Sequence, residues 1–244
     1  MRGIAHPNIV RLYGVALDKE PFLIVMELMA NGDLKTFLRT NRSSPYQKLC
    51  WAAHAAYGIA YMHTKYLIHR DIAARNCLLS SSLTLKIADF GLTREGGVYQ
   101  MIARRKLPVK WIAPEVLENN IFTLKSDVWS FGILVWEIMS DGAVPYEGLP
   151  NVKVKEMMLQ GKHNKFPPGT NAEVVKLVQT RCWMRDPASR CTMLEVAKIM
   201  ARVSGVRPPP TRCLFSKELI ATAKQPKMRS MKMKSATRKR NISN

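Results

Sequence analysis

The stretch VWSFGILVWEIM, residues 128–139, constrains this chain more than any other part of it. It falls well short of the roughly 20 apolar residues that cross a bilayer, and it carries Glu137 inside it. Taken with its flank, TLKSDVWSFGILVWEIM repeats Val128, Phe131, Leu134, Val135 and Ile138 at spacings of three and four, the period of a helix. A second segment, YQKLCWAAHAAYGIAYMHT, sets Leu49, Ala52 or Ala53, Ala56, Ile59 and His63 on one face in the same way. Both helices are expected to be buried. A chain of 244 residues with 47% apolar residues is long enough for one large core, or for a lobe with an appendage.

Before these helices the pattern is strand-like. NIVRLYGVAL and FLIVMEL are short apolar runs separated by the polar turn DKEP, which predicts two adjacent strands. NGDLKTFLRT then opens a helix with a cap at Asn31 or Asp33, and NVKVKEMML, NAEVVKLVQTRCW and MLEVAKIMARV continue a mainly helical body. PPP at 208–210 marks its end, and no internal repeat is found. The expected class is α+β, with few strands and many helices.

The formal charge of +20 is unevenly spread. From Val206 to Asn244 there are eleven Lys or Arg against the single acid Glu218, so this stretch carries half of the total. Its ending, KMRSMKMKSATRKRNISN, has the composition of a disordered basic arm. Such an arm would favour an anionic membrane surface, nucleic acid or acidic proteins by charge rather than by shape, or would serve only as a solvated tail that confers solubility. No nucleic-acid recognition motif accompanies the charge, so no specific nucleic acid is expected. Cys50, Cys77, Cys182, Cys191 and Cys213 are scattered without paired spacing, and MRGIAHPNIV has no signal-peptide character. Reduced thiols and a cytoplasmic location are expected.

The chemistry concentrates in LIHRDIAARNCLL, residues 67–79. His69, Arg70, Asp71 and Asn76 fit HRDxxxxN, the triplet Asp89, Phe90, Gly91 follows thirteen residues after Asn76, and Ala113, Pro114, Glu115 come downstream. In that order and spacing, residues 2–203 resemble the catalytic lobe of a eukaryotic protein kinase. The resemblance implies a kinase domain over 1–205, with a hinge and a remnant of the N-lobe sheet over 1–30 and a C-lobe over 31–205, followed by the tail 206–244.

It also implies roles. Phosphoryl transfer needs an aligned hydroxyl and metal ions that neutralise the phosphates, with little covalent help from the protein. Asp71 would accept or orient the hydroxyl proton, and Asn76 and Asp89 would hold Mg²⁺ or Mn²⁺ against ATP. Glu27 and Met29 would offer hinge backbone groups to adenine after a gatekeeper Met26, and Leu78 would pack beneath the base. The position two after Asp71 is Ala73, and the cation comes at Arg75, so DIAARN looks like the tyrosine kinase form. KLPVKWIAPE agrees with it, because Pro108 and Trp111 would shape a deeper seat for a phenol. Protein substrates carrying tyrosine follow.

Asp127 would hold the catalytic loop, and Glu115 and Arg190 would form a structural ion pair. Cys191 departs from the proline usual after that arginine. REGGVYQMIARRKLPVKW, with its one tyrosine, looks most like the Fes/Fer group, and phosphorylation of Tyr99 would add about two negative charges for Arg70, and for Arg94, to order the loop.

The sequence has no GxGxxG and no strand lysine in its first half. Against the family it begins at the end of the N-lobe helix. The glutamate partner of that lysine would fall roughly four residues before Met1, so Met1 reads as an interior methionine of a longer protein. Transition-state stabilisation in such a chain could fall by about 3 kcal/mol or more. Ile9, Leu12, Leu23 and Val25 are expected to lack cover. The alternative reading is a catalytically inactive pseudokinase or scaffold fragment. Intact Asp71, Asn76 and Asp89 favour the enzyme.

Overall fold

In a computed structural model the described residues are 4–101 and 107–210. The predicted basic arm therefore lies outside the described residues beyond position 210, as do residues 102–106 of the segment that follows Tyr99. No helix among the described residues is long and apolar enough to cross a membrane.

The chain starts with the expected hairpin. Strand β1 (Leu12–Ala16) pairs antiparallel with β2 (Leu23–Met26), with an irregularity between Leu12 and Gly14. Among the described residues this sheet has two strands, and most of its side chains face solvent: Leu23, Ile24, Val25 and Met26 are all more than half exposed. A two-stranded unit is marginal in water without a packed face. Ile9 departs from expectation, because it is buried through a bridge to Ile87. The backbone there is fixed on both sides: Ile87 N–H donates to Asn8 O at 2.9 Å and Val10 N–H to Ile87 O at 2.9 Å. This close approach needs Gly58, where a Cβ would come within 2.5 Å of Asn8 O.

Helices then take over, most of the longer ones started by a residue that satisfies free N–H groups. Asp33 caps α1 (Leu34–Thr40) by accepting from Thr36 N. Ser44 caps α2 (Pro45–Thr64), with proline at its first position, where a missing N–H costs nothing. Apart from His54, α2 is buried from Cys50 through Met62, so the one-sided stripe understates its burial. It packs on the later helices α4 and α7.

Between α2 and α4 the chain folds into short antiparallel pairs. β3 (Leu67–Ile68) pairs with β6 (Arg94–Glu95), β4 (Cys77–Leu79) with β5 (Leu85–Ile87), and β7 (Val98–Gln100) with β8 (Ile121–Thr123). Helix α3 (Pro114–Asn119) lies inside the last of these connections. Periodicity marks no strand here, because two- and three-residue strands leave too little period to read.

Helix α4 (Leu124–Met139) has a capping box, with Thr123 accepting from Ser126 N and the Ser126 hydroxyl accepting from Thr123 N. It is buried from Ser126 through Met139, acids included. α5 (Asn151–Leu159) matches NVKVKEMML. α6 (Ala172–Leu177) runs into a wide helical turn, Val178–Cys182, and α7 (Met193–Ser204) ends at Gly205 in the left-handed conformation, where glycine carries no steric cost.

Candidate active site

The loop between β3 and β4 is held from below by helix α4. The Asp127 carboxylate, 1% exposed, accepts the backbone N–H of His69 (2.8 Å) and of Arg70 (3.0 Å) and meets His63 Nε2 at 3.1 Å. These bonds hold Arg70 at φ 74°, a left-handed conformation that costs a non-glycine residue on the order of 1 kcal/mol or more. The buried acid and the strained turn thus stabilise each other.

His69 extends the scaffold sideways. Asp71 N–H donates to its Nδ1 at 3.3 Å, which leaves the proton on Nε2 to reach Ala88 O at 2.9 Å. One neutral tautomer therefore links the loop to the residue before Asp89. Ala88 N–H returns a bond to Asn76 O at 2.9 Å, so the segments carrying Asp71, Asn76 and Asp89 are tied into one frame.

Within that frame Asn76 Nδ2 donates to Asp71 O at 2.7 Å, which directs its amide oxygen away from the loop backbone. Asp89 is exposed and left-handed at φ 55°, and among the described residues its carboxylate accepts only a 3.3 Å bond from Gly91 N–H. Two oxygens with spare lone pairs, one amide and one carboxylate, form a hard donor set suited to Mg²⁺ or Mn²⁺. The Asp71 carboxylate accepts a short hydrogen bond from Arg75, whose guanidinium stacks on the Trp111 ring at 4.6 Å. Trp111 ends the helical turn Val109–Trp111 that begins after Pro108, and its carbonyl accepts from Ser130 at 2.8 Å. The predicted phenol platform and the predicted catalytic loop are therefore in contact through Arg75.

Glu137 is a second anchor of this loop, one that motif reading passed over. Fully buried, it accepts Ala74 N–H at 2.9 Å in the middle of the predicted catalytic loop. Burial pushes its carboxyl up to about 7, while the Ala74 N–H and Arg75 pull the other way and the Trp111 indole N–H faces it without closing a full hydrogen bond. The available signal was the lone acid inside VWSFGILVWEIM.

At the hinge, Glu27 N–H is already taken by Arg11 O at 2.9 Å, so Glu27 can present its carbonyl alone, while its side chain pairs with Lys86. Met29 O accepts Gly32 N–H at 3.1 Å, which leaves its N–H. Leu78 is half-buried on β4, bridged to Asp33. A cavity of about 380 Å³ under the hairpin is lined by Ile9, Arg11, Tyr13, Glu27 and Lys86, and none of Asp71, Asn76, Leu78 or Asp89 reaches it.

Tyr99 lies on β7 with the Arg70 guanidinium over its ring at 4.2 Å and Arg94 at 5.4 Å. Arg70 also donates to Leu92 O at 3.0 Å and stacks on Phe122 at 4.4 Å. Glu115 and Arg190 form a bidentate pair, both bonds 2.7 Å, with the arginine side chain fully buried against Trp129.

Residues 1–200 match the protein tyrosine and serine/threonine kinase family. The chain is 43% identical over 199 residues to Fer-related kinase 1 of Caenorhabditis elegans, an alignment covering 81% of this chain and 51% of that protein. It is 47% identical over 190 residues to the tyrosine-protein kinase transforming protein Fps of Fujinami sarcoma virus, covering 76% and 22%. To human tyrosine-protein kinase Fer it is 41% identical over 197 residues, covering 79% and 24%. The chain thus spans about half the length of the first of these relatives and about a quarter or less of the other two. A mainly helical lobe holding an aspartate loop from beneath and a match over most of the chain lead to one conclusion: this chain belongs to the protein tyrosine and serine/threonine kinase family.

Proposed function

We propose that the protein acts as a cytoplasmic protein tyrosine kinase, transferring the γ-phosphate of ATP to tyrosine in protein substrates. The observation that carries this reading is the Asp71–Arg75–Trp111 stack, which puts the loop carboxylate, its cation and the platform ring side by side. Asp71 orients the phenol hydroxyl and takes its proton as the oxygen attacks. Arg75 holds the Asp71 carboxylate in place and, being stacked on Trp111, keeps the seat of the ring in register with it. Asn76 and Asp89 would hold Mg²⁺ or Mn²⁺, which would supply positive charge against the phosphates. The Glu27 carbonyl and the Met29 N–H meet the adenine edge, and Leu78 packs beneath it.

Pro108 and Trp111 select tyrosine by depth: a serine hydroxyl on its short stem would fall short of Asp71. Tyr99 is the regulatory residue. Its phosphate would exchange two cation–π contacts for charge-assisted hydrogen bonds to Arg70 and Arg94, which are stronger. Asp127, Glu115 and Arg190 are structural. The basic arm from Val206 adds attraction to an anionic membrane, and the protein sits peripherally there.

The test uses this lobe joined to a glycine-rich strand lobe from a relative. Tyrosine peptides should be phosphorylated and matched serine peptides left alone, and comparable rates on both would overturn the assignment. Asp71→Asn should lower turnover by about 10²–10⁴-fold with nucleotide affinity largely kept, because the base is lost while the metal ligands stay. Affinity lost in parallel with turnover would instead assign Asp71 to binding.

A further inference from the structure

Cys182 ends the wide turn Val178–Cys182, and Cys191 lies just before the Thr192 cap of α7. The kinase chemistry uses neither. Nine residues apart in sequence, they are brought together by the backbone: Cys191 N–H donates to Arg181 O at 3.0 Å, the carbonyl bonded to Cys182 N. A proline at 191 could make neither this bond nor a thiol contact. The Cys191 thiol also donates to Arg181 O at 3.3 Å, which sets it beside Cys182. The proximity of the two thiols acts in opposite directions on the pair, raising Cys182 and lowering Cys191. Arg181 and Lys125 lower Cys191 further, against burial and Glu195. Both cysteines are reduced and buried, but only one layer deep, since Arg181, Ser189 and Thr192 around them are exposed.

We propose that Cys182 and Cys191 are a redox pair, a dithiol that hydrogen peroxide converts to a disulfide within the folded lobe. This inference is independent of the proposed tyrosine kinase activity. The separation suits it: one backbone hydrogen bond between the flanking peptides keeps the two Cα atoms near the roughly 4.4–6.8 Å that a disulfide spans. Cys191 is the attacking sulfur. Its thiolate takes one peroxide oxygen, an S–O bond forms, the O–O bond breaks, and hydroxide leaves. The Cys182 sulfur then attacks that sulfenic sulfur and expels a second hydroxide. With the two thiol protons, two waters are released, the peroxide is reduced, and both sulfurs end in the S–S bond. The bond would brace the turn that carries Arg190, and with it the Arg190–Glu115 pair.

The test is thiol mapping on the full, folded chain. After brief peroxide treatment, alkylation and digestion, the expected product is a peptide pair joined through Cys182 and Cys191 and separated again by a reductant. Cys50 and Cys77, buried without a thiol partner among the described residues, should remain alkylatable after unfolding. In Cys182→Ala the second sulfur is gone, so Cys191 should stop at the sulfenic acid and be captured by dimedone. The idea fails if both thiols stay reduced in the wild-type chain at a dose that oxidises glutathione, or if the link forms only in denaturant. The wild-type map decides the question by itself should the variant fold poorly.

Discussion

Asp127 shows how much one buried carboxylate does in this lobe. It accepts two consecutive backbone N–H groups, and these bonds hold Arg70 in the left-handed conformation that turns the loop toward Asp71. Asp127→Asn keeps the shape but turns one acceptor into an NH₂ group, which must face a backbone N–H. The expected cost is about 3 kcal/mol, the range for breaking a buried charged network. Urea unfolding gives the number, and faster hydrogen exchange at His69 and Arg70 locates it. A loss below about 0.5 kcal/mol would mean the loop holds itself. Asp127 was legible as a loop anchor only through the kinase resemblance, whereas the bonds of Glu137 to the same loop needed the structure.

At the scale of elements the contrast is between α4 and the β1–β2 hairpin. Both are strongly apolar in sequence, yet α4 is enclosed on all sides and the hairpin shows its Leu23, Ile24 and Val25 to solvent. Apolar burial near 25 cal/mol per Å² stabilises only what is buried. Ile24, 66% exposed, should therefore tolerate threonine with less than about 0.5 kcal/mol of change, and the exchange should reduce self-association in light scattering. A loss above about 1 kcal/mol would show that something covers this strand in solution. The strands and helices of strong period were readable in advance. The pairs β3–β6, β4–β5 and β7–β8 were not, because strands of two and three residues carry too little period, and two of the three pairs join partners distant in the chain.

For the whole molecule, four buried groups set the response to pH between 4.5 and 7. Burial lowers His6 to about 4, with Lys86 adding to the effect, burial lowers His163 to about 4, and burial lowers His54 as well. Glu137 is raised to about 7. Between pH 4.5 and 6.5 the unfolded chain binds up to two more protons at His6 and His163 and a further share at His54, and the folded chain up to one more at Glu137. The balance favours the unfolded state in acid, so stability should rise with pH across that window, with His6, His163 and Glu137 each worth on the order of 3 kcal/mol. From 6.5 to 7 the half-titrated histidines of the unfolded chain offset Glu137, and the rise should level off. Glu137→Gln should steepen the acid rise and carry it on toward pH 7, as read from urea midpoints against pH; an unchanged profile would return Glu137 to an ordinary carboxylate. The charge of the tail makes a second prediction at this scale. Phosphatidylserine vesicles should bind the full chain at low salt and release it as salt screens the surface, and deleting Lys224–Asn244 should abolish binding without changing the unfolding midpoint. Binding that survives the deletion would belong to the body.

By itself the sequence determined the helical body and the positions of the acids. Helix period is local, caps such as Asp33, Ser44 and Thr192 sit next to the groups they satisfy, and Asp71, Asn76 and Asp89 announce themselves by spacing. Only the tertiary structure decided what those residues touch: the stack of Arg75 on Trp111, Tyr99 beneath two guanidinium groups, Glu137 under Ala74, Cys182 against Cys191. Such contacts join residues far apart in the chain, and hydrogen bonds and ring contacts have no sequence period. They exist because packing around α4 brings the loops together.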